Sequence, residues 1–179
     1  MTLALPSRIP PHSLDAERAV LGAVLLEGAA ALPRVVDMLK PSDFYTEAHR
    51  AIYSGMLALH ERGEPVDLLI LQEELRRTDQ LPLVGGPAVL ALLVEQGSVA
   101  AYVSNYVATV RDLAILRELI QASVQLIGQA FDAKEDARGL VTAVSESLER
   151  IGWRTSGAEP SPALKMYGRR FARSHRPSR

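Results

Sequence analysis

The chain has 179 residues, enough for one ordinary domain with an appendage and a sizeable buried core. It has no cysteine, which excludes a disulfide framework, thiolate metal ligands and a thiol nucleophile. The net charge of −1 hides an asymmetry: residues 1–157 hold 14 Lys and Arg against 20 Asp and Glu, a balance of −6, whereas residues 158–179 hold six basic residues against Glu159 alone, a balance of +5.

Met1 to Arg8 lacks the charged start and apolar run of a signal peptide, and no window approaches the roughly 18 apolar residues of a membrane span. A soluble, cytoplasmic protein is expected. Pro10 and Pro11 cannot enter a helix interior, Ser13 can cap one, and Asp15 and Glu17 supply an acidic first turn. A first amphipathic helix is therefore predicted from Ser13 to Leu26, with Ala16, Val20, Leu21, Val24 and Leu25 as its buried stripe and Gly28 near its end. A second helix is predicted from Ala30 to Leu39, stopped by Pro41. Ser42 to Tyr45 reads as a loop whose aromatics, Phe44 and Tyr45, plug into the core.

Thr46 can cap a third helix that runs to Arg62 and closes at Gly63, burying Ala48, Ile52, Met56 and Leu59. Asp67 is the expected cap of a fourth, carrying Leu68, Leu71 and Leu75 and fading in the polar run Arg76 to Gln80. Gly85 and Gly86 then read as a tight turn, not a phosphate cradle, feeding a short helix from Pro87 to Gln96 that Gly97 stops.

From Ala100 to Phe131 the pattern becomes one long helix, with Val103, Val107, Val110, Ala114, Arg117, Val124, Ile127 and Phe131 near one seam. Tyr102, Tyr106, Leu113, Leu116, Ile120 and Leu126 widen that seam into more than one apolar face. After the polar turn Asp132 to Asp136, a helix from Ala137 to Trp153 returns Leu140, Val144, Leu148 and Ile151 against it. The expected architecture is all-α: a globular helical subdomain over 1–98, a long antiparallel hairpin over 99–154, and a basic tail over 155–179 read as disordered.

Nothing in this pattern supports catalysis. The lysines, Lys40, Lys134 and Lys165, follow Leu39, Ala133 and Leu164, so none can be the lysine of a Gly-rich phosphate loop. His49 and His60 share a helix face but lie about 16 Å apart along the axis, too far for one metal. Exposed or capping roles are expected for all four histidines, including His12 and His175. Glu73 and Glu74 read as a solvated face and not as an acid/base pair. No metal, catalytic or cofactor residue is assigned.

Function enters through a resemblance. The stretch from Pro10 to Leu26, followed by Asp43-Phe44-Tyr45, His49 to Tyr53, Gly63 to Leu68, Val84-Gly85-Gly86 and Asn105 to Arg111, resembles the N-terminal domain of DnaB-type bacterial replicative helicases in order and approximate spacing. The resemblance covers about residues 9–153. It implies a non-catalytic scaffold that helps build a collar by pairing through the hairpins, as a dimer or trimer of dimers, and that docks primase, with full-length helicase or a helicase loader as further partners. ATP and magnesium belong to that family's motor domain, whose phosphate loop is not in this sequence. The implied place is a cytoplasmic, nucleoid-associated replication complex. DNA binding is expected to be weak or absent.

The candidate partner surface is the distal hairpin: apolar Ile120, Val124, Leu126, Ile127 and Phe131, bordered by polar Arg117, Glu118, Gln121 and Gln125. The tail leaves three readings open. It is a basic arm in which Lys165, Arg169, Arg170, Arg173 and Arg176 neutralise phosphates while Tyr167 and Phe171 stack; or a disordered end without a role; or out-of-frame sequence from a GC-rich gene, which the 17 arginines against three lysines suggest. The rival function is a small DNA-binding or regulatory protein with an acidic dimerising body and a basic tail.

Overall fold

A computed structural model describes residues 9–97, 100–132 and 136–154, and all regular structure among them is helical. In chain order come α1 (Leu14–Glu27), α2 (Leu32–Val36), α3 (Glu47–Glu61), α4 (Leu68–Arg77), α5 (Pro87–Glu95), α6 (Ala100–Asp132) and α7 (Ala137–Trp153). Single 3₁₀ turns at Gly28–Ala30 and Pro41–Asp43 flank α2.

The helix starts are set by side chains that satisfy orphan backbone donors. Ser13 Oγ accepts from the Ala16 amide at 3.3 Å, Thr46 Oγ1 from His49 at 3.1 Å, and Asp67 Oδ1 from Leu69 and Ile70 at 2.9 Å each. Asp136, expected only as part of a polar turn, caps α7 by accepting from Gly139 at 2.6 Å. The predicted second helix is the main departure. Its start is a 3₁₀ turn and its α-helical part ends at Val36, because Met38 and Leu39 both bond back to the Val35 carbonyl and the chain must turn inward before Pro41.

The central element is α1, packed by α6, α5, α3 and α2. One buried stripe was expected, yet every residue from Ala19 to Leu25 is buried, because helices lie on several sides at once. Space is tightest at Gly22, where an added Cβ would stand 2.1 Å from the Leu93 carbonyl oxygen and 2.6 Å from the Gly97 Cα. The helix α1 and the end of α5 meet there backbone to backbone. Only glycine allows that approach.

The first half of α6 belongs to this core through Val103, Val107, Val110, Leu113 and Ala114. Its 33 residues make a rod about 50 Å long, so its distal part, past the contacts of Arg117 and Glu118 with the body, extends outward with α7 alongside it.

A polar anchor joins α3 to α4. Glu74, expected on a solvated face, is buried and receives Arg77 Nη2 and Arg62 Nη2 at 2.8 Å each. Hydrogen bonds from Arg77 and then Arg62 hold its pKa at about 2, against an ordinary 4.5. A depressed carboxylate stabilises the fold above the unfolded value and loses that contribution as pH falls toward the folded one. Glu74→Gln should therefore lower the urea midpoint above about pH 4.5, and the deficit should close as pH falls toward 2. A deficit that stays constant over that window would show that shape, not charge, holds α4.

Candidate functional site

The segment from Leu39 to Tyr45 sends Leu39, Asp43 and Phe44 into the interior while Lys40 and Ser42 stay exposed, and several of its backbone partners come from neighbouring helices. Tyr53 Oη donates to the Leu39 carbonyl at 3.1 Å, and Arg50 donates to those of Phe44 and Tyr45 at 2.7 and 3.1 Å. Burial, followed by the charge on Asp43, raises the Tyr53 phenol well above its ordinary range, so it serves as a donor. Glu17 Oε1 accepts from the Tyr45 amide at 2.8 Å and Oε2 from His49 Nδ1 at 2.6 Å. A carboxylate can only accept, which places the proton on Nδ1.

This corrects two expectations. His49 is buried and structural, not exposed, because α3 turns it toward the acidic first turn of α1. Of the two aromatics only Phe44 enters the core, with its ring centroid 4.9 Å from that of Tyr53. Tyr45 is half-buried and stacks on His12 at 4.0 Å.

The same loop anchors the hairpin. Asp43 is fully buried, and Arg154, at the end of α7, reaches both its carboxylate oxygens at 2.8 and 2.7 Å. Arg154 also donates to Glu118 of α6 at 2.5 Å, and Lys40 stands 3.1 Å from the same Glu118 oxygen. Arg117 donates to the carbonyls of Asp43 and of Pro11, the latter at 2.8 Å. Beyond this base α7 is held lightly: Ile151 is buried, Leu140 and Val144 are half-buried, and Val141 and Leu148 face out.

Two surfaces result on the distal hairpin. Ile120, Val124, Ile127 and Phe131 are 49, 46, 36 and 73 % exposed and follow one another at spacings of four, three and four, so they form one apolar stripe along α6. Glu118, Gln121, Ala122 and Gln125 instead wall a cleft with Ser147, Arg150, Ile151 and Arg154 of α7, capped by Lys40. At 100° per residue the stripe lies about 140° round α6 from the cleft.

The family model described as the DnaB-like helicase N-terminal domain matches residues 9–112. The chain belongs to that family. It is similar to the replicative DNA helicase DnaC of Bacillus subtilis strain 168, 35 % identical over 154 residues that cover 86 % of this chain and 34 % of the relative. The crystal structure of the N-terminal domain of the Mycobacterium tuberculosis DnaB helicase superposes with a TM-score of 0.74 at 32 % identity, covering 79 % of this chain and 99 % of that one. The N-terminal domain of the Helicobacter pylori DnaB helicase, described together with its interactions with primase, shares the fold at a TM-score of 0.57 and 23 % identity, over 65 % and 90 % of the two chains. The chain spans about a third of the length of the curated helicases it matches.

Within this DnaB-type domain the predicted partner residues separate. Ile120, Val124, Ile127 and Phe131 stand on the stripe, and Glu118, Gln121 and Gln125 on the cleft. Leu126 is half-buried. Arg117 is half-buried as well and engaged in the fold, and burial lowers its pKa against the pull of Glu17 and Asp43. The tail residues Lys165, Arg169, Arg170, Arg173 and Arg176 lie outside the described residues. Sequence spacing gives no sign of Arg154, Asp43 and Lys40, whose contacts reach across as many as 111 positions of chain, nor of Arg150, which lines the cleft without a partner among the described residues. The one available hint was Asp43 beside Phe44, an acidic residue at the mouth of an apolar plug.

Among the described residues no group of three or more acidic or histidine side chains is placed to hold a metal, and no helix is long and apolar enough to cross a membrane. Arg154→Met should leave the buried Asp43 carboxylate with only the Lys40 amide and cost about 3 kcal/mol in urea unfolding. Adding Asp43→Asn to that variant should recover part of the loss. A loss below about 1 kcal/mol would mean that water reaches Asp43 once the guanidinium is gone.

Proposed function

We propose that this domain is a non-catalytic scaffold of a replicative helicase: it pairs with copies of itself along the outer stripe of α6 and presents the hairpin to primase. The observation that carries the pairing is the row Ile120, Val124, Ile127 and Phe131, turned away from the cleft that α7 shares with α6. Each of these side chains stands to gain on the order of 1 kcal/mol on burial, and a second copy supplies the same row in return. Pairing of this kind closes a dimer, and dimers of a ring-forming family assemble into a trimer of dimers.

Support for primase as the outside partner comes from the likeness to DnaB N-terminal domains, one of which is described with its primase interactions. The domain carries the assembly surfaces, and ATP with magnesium is handled by the motor domain of the family. A helicase loader or an intact helicase would meet the same surfaces, in the cytoplasm.

Two measurements test the proposal. Ile120→Asp with Val124→Asp should shift the chain toward monomer in sedimentation equilibrium while leaving its helical circular dichroism unchanged. Leu126 is left alone because an aspartate there would loosen α7. If the double variant sediments like the parent, the pairing surface lies elsewhere. Titrating the cognate primase's helicase-binding domain into the full chain should give saturable heat at micromolar concentrations, and the absence of heat would remove the primase role.

A further inference from the structure

The cleft at the base of the hairpin contains more donors than the fold uses. Its volume is about 220 Å³, room for one or two side chains. Ala122 and Ile151 provide apolar lining; Gln121 and Gln125 stand one turn apart on α6, opposite Ser147 and Arg150 on α7. Among the described residues the side chains of Gln121, Gln125, Ser147 and Arg150 make no hydrogen bond or ion pair. Lys40 and Arg154 share the single carboxylate of Glu118, and Asp43 is buried against Arg154. Three cations thus meet two anions, and the unmatched charge sits on Arg150. The other acids of α7, Glu146 and Glu149, do not line the cleft.

From this we infer that the cleft is a receptor for a carboxylate side chain of the docking partner, with Arg150 as its charge partner and the two glutamines and Ser147 as flanking donors. The inference rests on the hairpin being the face that primase meets, and it names the chemistry of that contact: an acidic side chain of primase. A guanidinium with nearby neutral donors recognises a carboxylate by charge-assisted hydrogen bonds, and a small apolar floor accepts the methylenes of a glutamate. The chain's own tail is disfavoured as the occupant, because residues 158–179 carry a balance of +5, the same sign as the cleft, with Glu159 as their one acidic side chain. Nucleic acid fits poorly. Phosphate backbones are held by extended basic tracks, whereas this is a single concave spot on a body of net charge −6.

The test compares the full chain with its Arg150→Glu variant, using the cognate primase's helicase-binding domain as the titrant at low and at high salt. Both proteins keep the same tail, so the difference isolates the cleft. Arg150 is exposed and unpaired, and unchanged circular dichroism will confirm that the variant folds. The expected result is binding by the parent that weakens with salt, and a loss of about tenfold or more in the variant at low salt. Equal binding by both proteins overturns the carboxylate receptor and leaves primase docking standing. No binding by the parent overturns the docking reading and this inference with it. Two further results also count against it: an altered sedimentation profile of Arg150→Glu would assign the cleft to a second copy, and binding of a labelled single-stranded oligonucleotide abolished by the variant would assign it to nucleic acid.

Discussion

Backbone polar groups buried away from water must find partners, and in this domain that requirement falls hardest on the segment from Leu39 to Tyr45. It buries Leu39, Asp43 and Phe44 with only a single 3₁₀ turn of regular structure. Its donors and acceptors are met by Glu17 of α1, Arg50 and Tyr53 of α3, and Arg117 of α6. Asp43 adds a buried carboxylate that Arg154 neutralises. The positions of α1, α3, α6 and α7 are therefore tied to one loop, and losing Glu17, Tyr53 or Arg154 leaves a buried group without its partner.

The hairpin inherits its geometry from that anchor. Apolar burial holds the first half of α6, and Arg117 marks the point where the helix leaves the body. Past it no core remains to cover Ile120, Val124, Ile127 or Phe131. The returning helix approaches from the other side, pinned by Ile151 and by Arg154 reaching Asp43 and Glu118. One amphipathic rod thus gains an apolar outer stripe and a polar inner cleft, surfaces suited to different partners.

Groups with catalytic potential have been turned to structural use. His49 and Glu17 look like a general base and its orienting acid, yet both are buried among partners that hold the loop. Glu74 is a clamp for two arginines.

Local interactions were legible in the sequence. Caps at Ser13, Thr46 and Asp67, the turn before Pro87 and the long apolar period of α6 depend on residues within a few positions of one another, and spacing reports such contacts directly. Reading helix by helix could not show that α1 is buried on nearly every side, that His49 turns inward, or that the predicted second helix stops at Val36 so that the chain can enter the core. Nor could it split the distal residues of α6 between a stripe and a cleft, because that division depends on which face α7 covers. The side of α6 that α7 takes is set by Arg154 meeting Asp43 across 111 positions of chain, a contact that exists only once the loop and both helices are in place.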